Sequence, residues 1–234
     1  MTDKQIIETV VDCARCYRDN LEKYNIMFVF KNNNTNSIKE KIEFIETIYY
    51  PTNFLHLTGL KSQKYTSANF YYYILNGKVS INDIETKNRY TTELKLNVLK
   101  NLMNIDSTAK AIGMYNNSIK NNLYTEKVVG SVHYCFGYVK SNETNRFYTP
   151  NTALKEDIRD ITYSNNQILA IFKKKRKDKL YNKLSYLCKD FDVNFFFKNK
   201  ELIQLIDFKN LETRNKNYID IIKKIIDTNL KYWI

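Results

Sequence analysis

Glycine and proline are scarce in this 234-residue chain, which contains five glycines and two prolines. Flexible linkers are built largely from these residues, so their scarcity predicts few long loops. Hydrophobic residues make up 43% of the chain and aromatic residues 14%, which excludes a disordered polypeptide. A chain of this length can bury a substantial core, and we expect one domain with an appendage.

Cysteine is also rare. The four cysteines, at positions 13, 16, 135 and 188, do not form a plausible disulfide framework in a chain of this size, which predicts a reducing compartment. Cys13 and Cys16 have the spacing of half a zinc site, but no second Cys/His pair follows at metal spacing. On a helix the two thiols would share one face, which favours packing in the core. We therefore assign no metal ion and no other cofactor.

Long hydrophobic runs are absent. No stretch approaches the roughly eighteen apolar residues that a bilayer-spanning helix needs. The N-terminus, Met1-Thr-Asp-Lys-Gln5, lacks the positive start and the apolar run of a signal peptide. We expect a cytoplasmic protein without a membrane partner.

Negative charge is in deficit, with 25 Asp and Glu against 37 Lys and Arg, for a formal net charge of +12. This balance favours a polyanionic partner, and nucleic acid is the first choice. The densest positive run, at 173–179, is followed by two tyrosines, as in a surface that contacts a phosphate backbone and stacks bases. A solvated turn is an equally common role for such a run. Its candidate nucleic-acid contacts are Lys173, Lys174, Lys175, Arg176 and Lys177.

The spacing of apolar residues predicts helices in the first half of the chain and strands in the second. A helix at about 3–23 precedes a hairpin of strands at 26–30 and 39–50, joined by a turn at 32–37. Helices follow from residue 67 to the Asn76-Gly77 pair, from residue 80, and at 92–103. Strands at 109–115, 127–140 and 167–173 then form an antiparallel meander. We expect an α+β fold, with helices packed on an antiparallel sheet.

We place a domain boundary at residue 190. Residues 191–234 contain an apolar run at 193–197 and two helices, the last at about 218–233. This C-terminal helical appendage carries no candidate catalytic residue. We expect it to cover a sheet edge or to form a homodimer.

The chain contains two histidines, His56 and His133. Apolar neighbours on both sides place His56 at the edge of a core, where the charge state of the imidazole can be tuned. A histidine without chemistry is the more common outcome of this pattern. Pro51 ends the preceding strand, so we expect the stretch 53–60 to leave the end of a sheet. A regular pleat at 127–140 would place His133 on a face of small side chains, next to Gly137.

The segment 146–160 joins two of the predicted strands and carries several side chains that can bind phosphate, although a solvated loop explains the same composition. These candidates are Arg146, Tyr148, Thr152, Lys155 and Arg159.

Three stretches together resemble the phage- and Firmicute-associated Barnase/EndoU/colicin/RelE-like nucleases, specifically their fourth type. They are Phe54-Leu-His-Leu-Thr-Gly-Leu60, Ile74-Leu-Asn-Gly-Lys-Val-Ser-Ile-Asn-Asp-Ile84 and Phe147-Tyr-Thr-Pro-Asn-Thr-Ala-Leu-Lys-Glu-Asp-Ile-Arg159. The likeness spans roughly residues 1–190. It implies helices packed on a four-stranded antiparallel sheet. It also implies a metal-independent RNase activity, with RNA as the favoured partner. Residues 191–234 have no counterpart in this resemblance.

Cleavage of RNA through its own 2′-hydroxyl requires a base, an acid and cations around the phosphorane. Our hypothesis is that His56 and His133 act as acid and base, or that one of them acts with a tyrosine. Lys155, with Arg159 or Arg146, would stabilise the phosphate. Thr58 would orient a histidine.

Two other functions fit parts of the sequence. A His-x-Thr segment that leaves a strand also resembles the nicotinamide-ribose contact of ADP-ribosyltransferases, although no glutamate can be matched to their catalytic set. The chain could instead be a non-catalytic phage or mobile-element protein, whose basic face binds nucleic acid or blocks a host defence protein or ribonucleoprotein. A toxin association is the context that the nuclease hypothesis implies.

Overall fold

The fold is described from a computed structural model of the chain that covers residues 1–32, 41–86, 88–119, 123–144 and 146–232. The helices are α1 (Asp3–Tyr17), α2 (Pro51–Thr58), α3 (Ser67–Leu75), α4 (Arg89–Leu102), α5 (Ile105–Thr108), α6 (Ile158–Ile161), α7 (Val193–Phe196), α8 (Lys200–Gln204) and α9 (Ile219–Tyr232). A π-helical turn, Arg18–Glu22, follows α1, and 3-10 turns occupy Ile81–Asp83 and Lys216–Tyr218. Within these residues no helix has the length and apolar character that crossing a membrane requires.

The strands are β1 (Tyr24–Asn32), β2 (Lys41–Ile48), β3 (Leu60–Lys61), β4 (Glu85–Thr86), β5 (Ala111–Met114), β6 (Lys127–Gly130), β7 (Cys135–Lys140), β8 (Phe147–Leu154), β9 (Asn166–Lys175), β10 (Lys183–Leu187) and β11 (Glu212–Thr213). The predicted hairpin of β1 and β2 is confirmed as an antiparallel pair. The turn predicted at 32–37 lies outside the described residues from position 33 onward.

Seven strands close into a barrel, in the order β1-β2-β8-β7-β6-β5-β9, with β9 pairing back onto β1. The mixed α and β composition agrees with the prediction, but a closed barrel replaces the expected plain antiparallel sheet. One pair of the barrel, β2 with β8, is parallel. The sequence pattern shows which faces of a strand are buried and not which edges pair, so it could not reveal the closure.

The barrel closes because β9 is ten residues long and uses both of its edges. One edge pairs with β1 from Ile168 to Lys175. The other edge pairs first with β5 and then, from Ala170 onward, with β10. Strands β10 and β11 therefore extend the sheet beyond the barrel.

Alternate residues of β1 enter two different hydrophobic clusters. Ile26, Phe28 and Phe30 belong to the larger cluster, to which each of the seven barrel strands and helices α1 to α4 contribute. Met27 and Val29 face the second cluster, which contains α7, α8 and α9. A strand buried on both faces has a continuous apolar sequence, as 26–30 does. The C-terminal segment therefore packs on the opposite side of the barrel wall from the first four helices.

A hairpin replaces the single strand predicted at 127–140. Strands β6 and β7 pair antiparallel, and the turn 131–134 joins them. The Ser131 side chain accepts a hydrogen bond from the backbone amide of His133 at 3.2 Å, which stabilises the turn. Apolar residues occur on both sides of this turn, so the sequence pattern resembled that of one continuous strand.

A strand, β8, occupies most of the segment predicted as a connection at 146–160. Pro150 lies at a bulge, where Gly137 pairs with Thr152 and Tyr138 pairs with Pro150, so that Asn151 has no partner in the ladder. A proline has no amide hydrogen to donate and is tolerated in a sheet at such a position. This explains why a proline inside the segment obscured the strand.

Helix α2 ends at Gly59, which has a left-handed backbone with φ of 75°. A Cβ atom added there would lie 3.1 Å from Cδ of Lys95 and 3.3 Å from Cα of Thr92, both on α4. Gly77 is also left-handed, with φ of 64°, but a Cβ atom there would meet nothing within 4 Å. Substitution of the two glycines therefore measures the cost of backbone strain alone at Gly77, and of strain together with packing between α2 and α4 at Gly59.

We predict that Gly77→Ala lowers the free energy of unfolding by about 1 kcal/mol, the usual cost of a left-handed backbone for a residue with Cβ. Gly59→Ala should cost about 2 kcal/mol, because the new methyl group also pushes α4 away. Urea unfolding of both variants measures the difference. Equal losses would contradict the close packing of α2 on α4.

Candidate functional site

His56 lies on helix α2 and its side chain is exposed, while Phe54 and Leu57 beside it are buried. The helix forms because Pro51 occupies its first turn and Asn53 accepts a hydrogen bond from the Tyr50 amide at 2.8 Å. The stretch 53–60 therefore follows the end of strand β2, as expected, but most of it forms a helix. The ammonium group of Lys95 donates to the backbone carbonyl of His56 at 3.3 Å and ties the end of α2 to α4.

Thr58 is fully buried at the end of α2. Its hydroxyl donates to the carbonyl of Leu55 at 2.7 Å and accepts from the amide of Leu60 at 3.2 Å. Both hydrogen bonds stabilise the end of the helix. The His-x-Thr segment lies within helix α2, whereas the ADP-ribosyltransferase contact that it resembles leaves a strand.

His133 is exposed in the turn 131–134, beside the start of α6. The amide of Ile158 donates to the carbonyl of Ser131 at 3.2 Å and holds the turn against α6. Hydrogen bonds from Arg159 lower the pKa of the Asp157 carboxyl, and the positive charge of His133 acts in the same direction. Arg159 is thus paired with this carboxylate.

Lys155 lies at the same end of the barrel as His133. It follows β8 directly and is exposed, and the last residue of β8, Leu154, pairs with Cys135 at the start of β7. The structure therefore brings His133, Lys155 and Arg159 together, although they come from two separate stretches of the chain. Helix α2, which carries His56, packs against β8.

Arg146, whose side chain is 50% exposed, forms an ion pair with a buried carboxylate. Its Nη2 donates to Oε1 of Glu46 at 2.8 Å, and its Nε donates to Oε2 of the same carboxylate. Glu46 is only 4% exposed and also accepts a hydrogen bond from the Tyr181 hydroxyl at 2.9 Å. Burial raises the pKa of the Tyr181 phenol, which keeps it protonated as a donor. Two further candidates of this segment are not open to solvent, since Tyr148 is half-buried against the larger cluster and Thr152 is 3% exposed.

The positive run 173–179 divides between the interior and the surface. Lys173 and Lys174 are 8% and 5% exposed, because both belong to the doubly covered strand β9. The Lys174 ammonium donates to the carbonyl of Lys179 at 2.8 Å, and burial lowers its pKa. Lys174 therefore does not contribute to a solvated phosphate contact. The remaining members of the predicted contact, Lys175, Arg176 and Lys177, are exposed.

A cavity of about 590 Å³ opens beside Lys173, at the junction of β1, α5, β9, β10 and the segment 212–216. The Lys173 ammonium donates to Oδ2 of Asp106 at 2.5 Å and lies 4.3 Å above the ring of Tyr24. Of the residues that line this cavity, the sequence singled out Lys173 alone. The others come from five separate parts of the chain, and no local pattern connects them.

The cysteine pair and the carboxylates do not form a metal site among the described residues, where no group of three or more His, Cys, Asp or Glu residues is placed to hold an ion. Cys13 lies in the core face of α1 and is 1% exposed. Burial raises the pKa of its thiol to about 12. Cys13 therefore behaves as a core residue, as its helical spacing predicted.

We predict that Arg146→Met lowers the free energy of unfolding by about 2 kcal/mol, because it leaves the buried Glu46 carboxylate without its cation. Arg159→Met is the matched control, since it removes an ion pair with Asp157 at the surface and should cost less than about 1 kcal/mol. Chemical denaturation measures both. If Arg146→Met left stability unchanged and weakened only RNA binding, the phosphate contact expected from the sequence would replace this structural role.

Three comparisons with known proteins were informative to different degrees. Comparisons with curated proteins and with solved structures returned no match. The family described as phage-Barnase-EndoU-ColicinE5/D-RelE like nuclease4 matches residues 9–190. The matched segment begins within α1 and contains α2 to α6 and β1 to β10, which includes all seven barrel strands and both histidines. This chain belongs to the phage-Barnase-EndoU-ColicinE5/D-RelE like nuclease4 family, and nucleic acid is the substrate that this membership implies.

Proposed function

We propose that this protein is an endoribonuclease that cleaves RNA by attack of a ribose 2′-hydroxyl on the adjacent phosphodiester. Family membership supports a nuclease in general. The observation that carries the proposal further is the group formed by His133, Lys155 and Arg159 at one exposed end of the barrel. It combines a side chain that can move protons near neutral pH with two cations that can neutralise a phosphorane.

In this mechanism a base removes the proton of the 2′-hydroxyl, and an acid protonates the departing 5′-oxygen. His133 is exposed and can perform one of these steps. His56, also exposed on α2, is the candidate for the other, with a tyrosine as the alternative. The reaction as written moves its protons between side chains and RNA and requires no metal ion.

Arg159 is positioned to stabilise the phosphate with part of its guanidinium group. Its Nη2 donates to Asp157 at 2.6 Å and its Nε donates to the same carboxylate at 3.0 Å. These bonds fix the plane of the guanidinium group, and Nη1 is left to meet a phosphate oxygen. Lys155 adds a second positive charge at the end of β8.

The exposed part of the positive run is the proposed contact for the RNA backbone on either side of the cleaved bond. Lys175, Arg176 and Lys177 follow β9 at the surface. Arg176 is held in place, because its Nη2 donates to the carbonyl of Tyr49 and its guanidinium carbon lies 5.2 Å above the ring of Tyr50. Binding through these charges should weaken as salt concentration rises.

We predict that His133→Ala lowers the rate of RNA cleavage by about 10²- to 10⁴-fold, the usual contribution of a general acid or base. Val132→Ala is the control, because Val132 is a neighbouring exposed residue of the same turn. His56→Ala, with Thr52→Ala as its control on α2, tests the second histidine in the same way. The assay follows an end-labelled single-stranded RNA with EDTA present, and a substrate with one 2′-deoxyribose at the cleaved position should resist.

Three results would overturn parts of this proposal. Cleavage that stops when EDTA is added would contradict the metal-independent route. Cleavage of the 2′-deoxy substrate would contradict attack by the 2′-hydroxyl. A double His56→Ala, His133→Ala variant that kept the full biological effect of the protein would favour the non-catalytic binder that blocks a host machine through its basic face.

A further inference from the structure

We propose that the cavity beside Lys173 is a binding site for a phosphorylated ribonucleoside, either a free mononucleotide or one residue of an RNA strand. The choice of a ribonucleotide over other phosphorylated sugars rests on the proposed function. The presence of an anion site rests on the geometry of the cavity alone. It lies apart from the group of His133, Lys155 and Arg159, whose residues do not line it.

The C-terminal segment builds one wall of this cavity. Strand β11 pairs parallel to β10, with Lys183 opposite Glu212, and carries residues 212–216 to the cavity mouth. The family match ends at residue 190, so this wall is an addition to the family domain. The volume of about 590 Å³ falls within the usual range for sites that bind small molecules.

Unpaired positive charge distinguishes the cavity. Lys183, Arg214 and Lys216 line it, and none of them lies within 4.0 Å of a carboxylate among the residues that the structure describes. Two of the three lining carboxylates are already neutralised, since Asp106 pairs with Lys173 and Asp19 pairs with cations outside the cavity. Glu212 is the third. Three unpaired cations therefore face one unpaired carboxylate, an excess that attracts a phosphate.

The buried pair of Lys173 and Asp106 holds the floor of the cavity. Their side chains are 10% and 14% exposed, and the two ammonium groups of Lys173 and Lys183 lie 4.3 Å and 5.6 Å from the centre of the Tyr24 ring. The free energy lost by removing two such charges from water is about as large as the free energy gained from their attraction. Stability alone therefore does not favour this pair over apolar side chains. The pair and the ring instead fix two cations at one end of the cavity.

Neutral polar groups complete the match to a nucleoside. Residues with amide and hydroxyl side chains also line the cavity, and such groups can exchange hydrogen bonds with ribose hydroxyls and with a base edge. They are Asn20, Asn104, Ser107, Ser185, Thr213 and Asn215. Glu212 is placed to accept from a ribose hydroxyl, which a bare phosphate lacks. This combination favours a phosphorylated nucleoside over inorganic phosphate.

The test is a calorimetric titration of the full chain with the four ribonucleoside 3′-monophosphates, with inorganic phosphate and with the nucleosides. The double variant Lys183→Gln, Lys216→Gln should bind the monophosphates at least about tenfold more weakly, a loss of about 1.4 kcal/mol. The double variant Lys189→Gln, Lys209→Gln is the matched control. It removes the same charge from exposed positions that follow β10 and precede β11, outside the cavity.

A site in the cavity requires that the control keep its affinity within about twofold. Equal weakening of both double variants would overturn the proposal in favour of diffuse attraction by the net charge. No binding of any monophosphate would overturn it outright. Inorganic phosphate that bound as tightly as the monophosphates would overturn the nucleoside part.

A 2′-O-methyl RNA oligonucleotide, which cannot be cleaved through its 2′-oxygen, separates the two sources of the ligand. Displacement of a bound monophosphate by this oligonucleotide supports a residue of RNA, and a failure to displace it supports a free mononucleotide. His133→Ala should keep monophosphate binding unchanged while losing cleavage. Failure of the nuclease proposal and failure of the binding site are thereby measured separately.

Discussion

The antiparallel pairing of β1 with β9 is the interaction on which the rest of the structure depends. It closes the barrel, and it brings a strand from the start of the chain against one from residues 166–175. Both strands are covered on both faces, so each divides its side chains between two clusters. A polar side chain that is buried on these strands costs free energy unless it finds a partner within the protein.

This constraint explains why two buried lysines of β9 have partners inside the protein. Lys173 and Lys174 leave opposite faces of the strand and meet different partners, Asp106 for the first and the carbonyl of Lys179 for the second. The exposed part of the same run begins at Lys175, which pairs with Tyr24, the first residue of β1. A run of like charge thus contains a buried structural part, a cavity wall and an exposed basic patch. The boundary between them is set by strand pairing.

The C-terminal segment is integrated into the sheet to a degree that its composition did not suggest. Ile222 and Ile225 of α9 are buried in the second cluster, against the barrel wall. Helix α9 therefore covers a face of the barrel wall, where the sequence predicted cover for a sheet edge, and these two side chains are not available to form a homodimer. Strand β11 also lengthens the sheet by one parallel pair, which places charged residues from beyond the family domain next to residues within it.

The sequence by itself determined the type and order of most elements. The helix that begins near residue 3, the hairpin of β1 and β2 and the Asn76-Gly77 helix end have local signals in the sequence, and the structure contains each of these features. The resemblance of 53–60, 74–84 and 147–159 also identified the family correctly. Local physical chemistry suffices in these cases because a cap or a turn is satisfied within a few residues.

Only the tertiary structure decided how the edges of the strands pair and where each charge lies. Closure of the barrel, the helix around His56 and the turn around His133 depend on contacts that hydrophobic spacing does not encode. The roles of the charged residues also depend on such contacts. Only the burial of Glu46 shows that Arg146 has a structural role that Arg159 lacks. A charged residue has the same sequence signature whether it meets a buried carboxylate, a cavity or solvent. Its surroundings are fixed by residues distant in the chain.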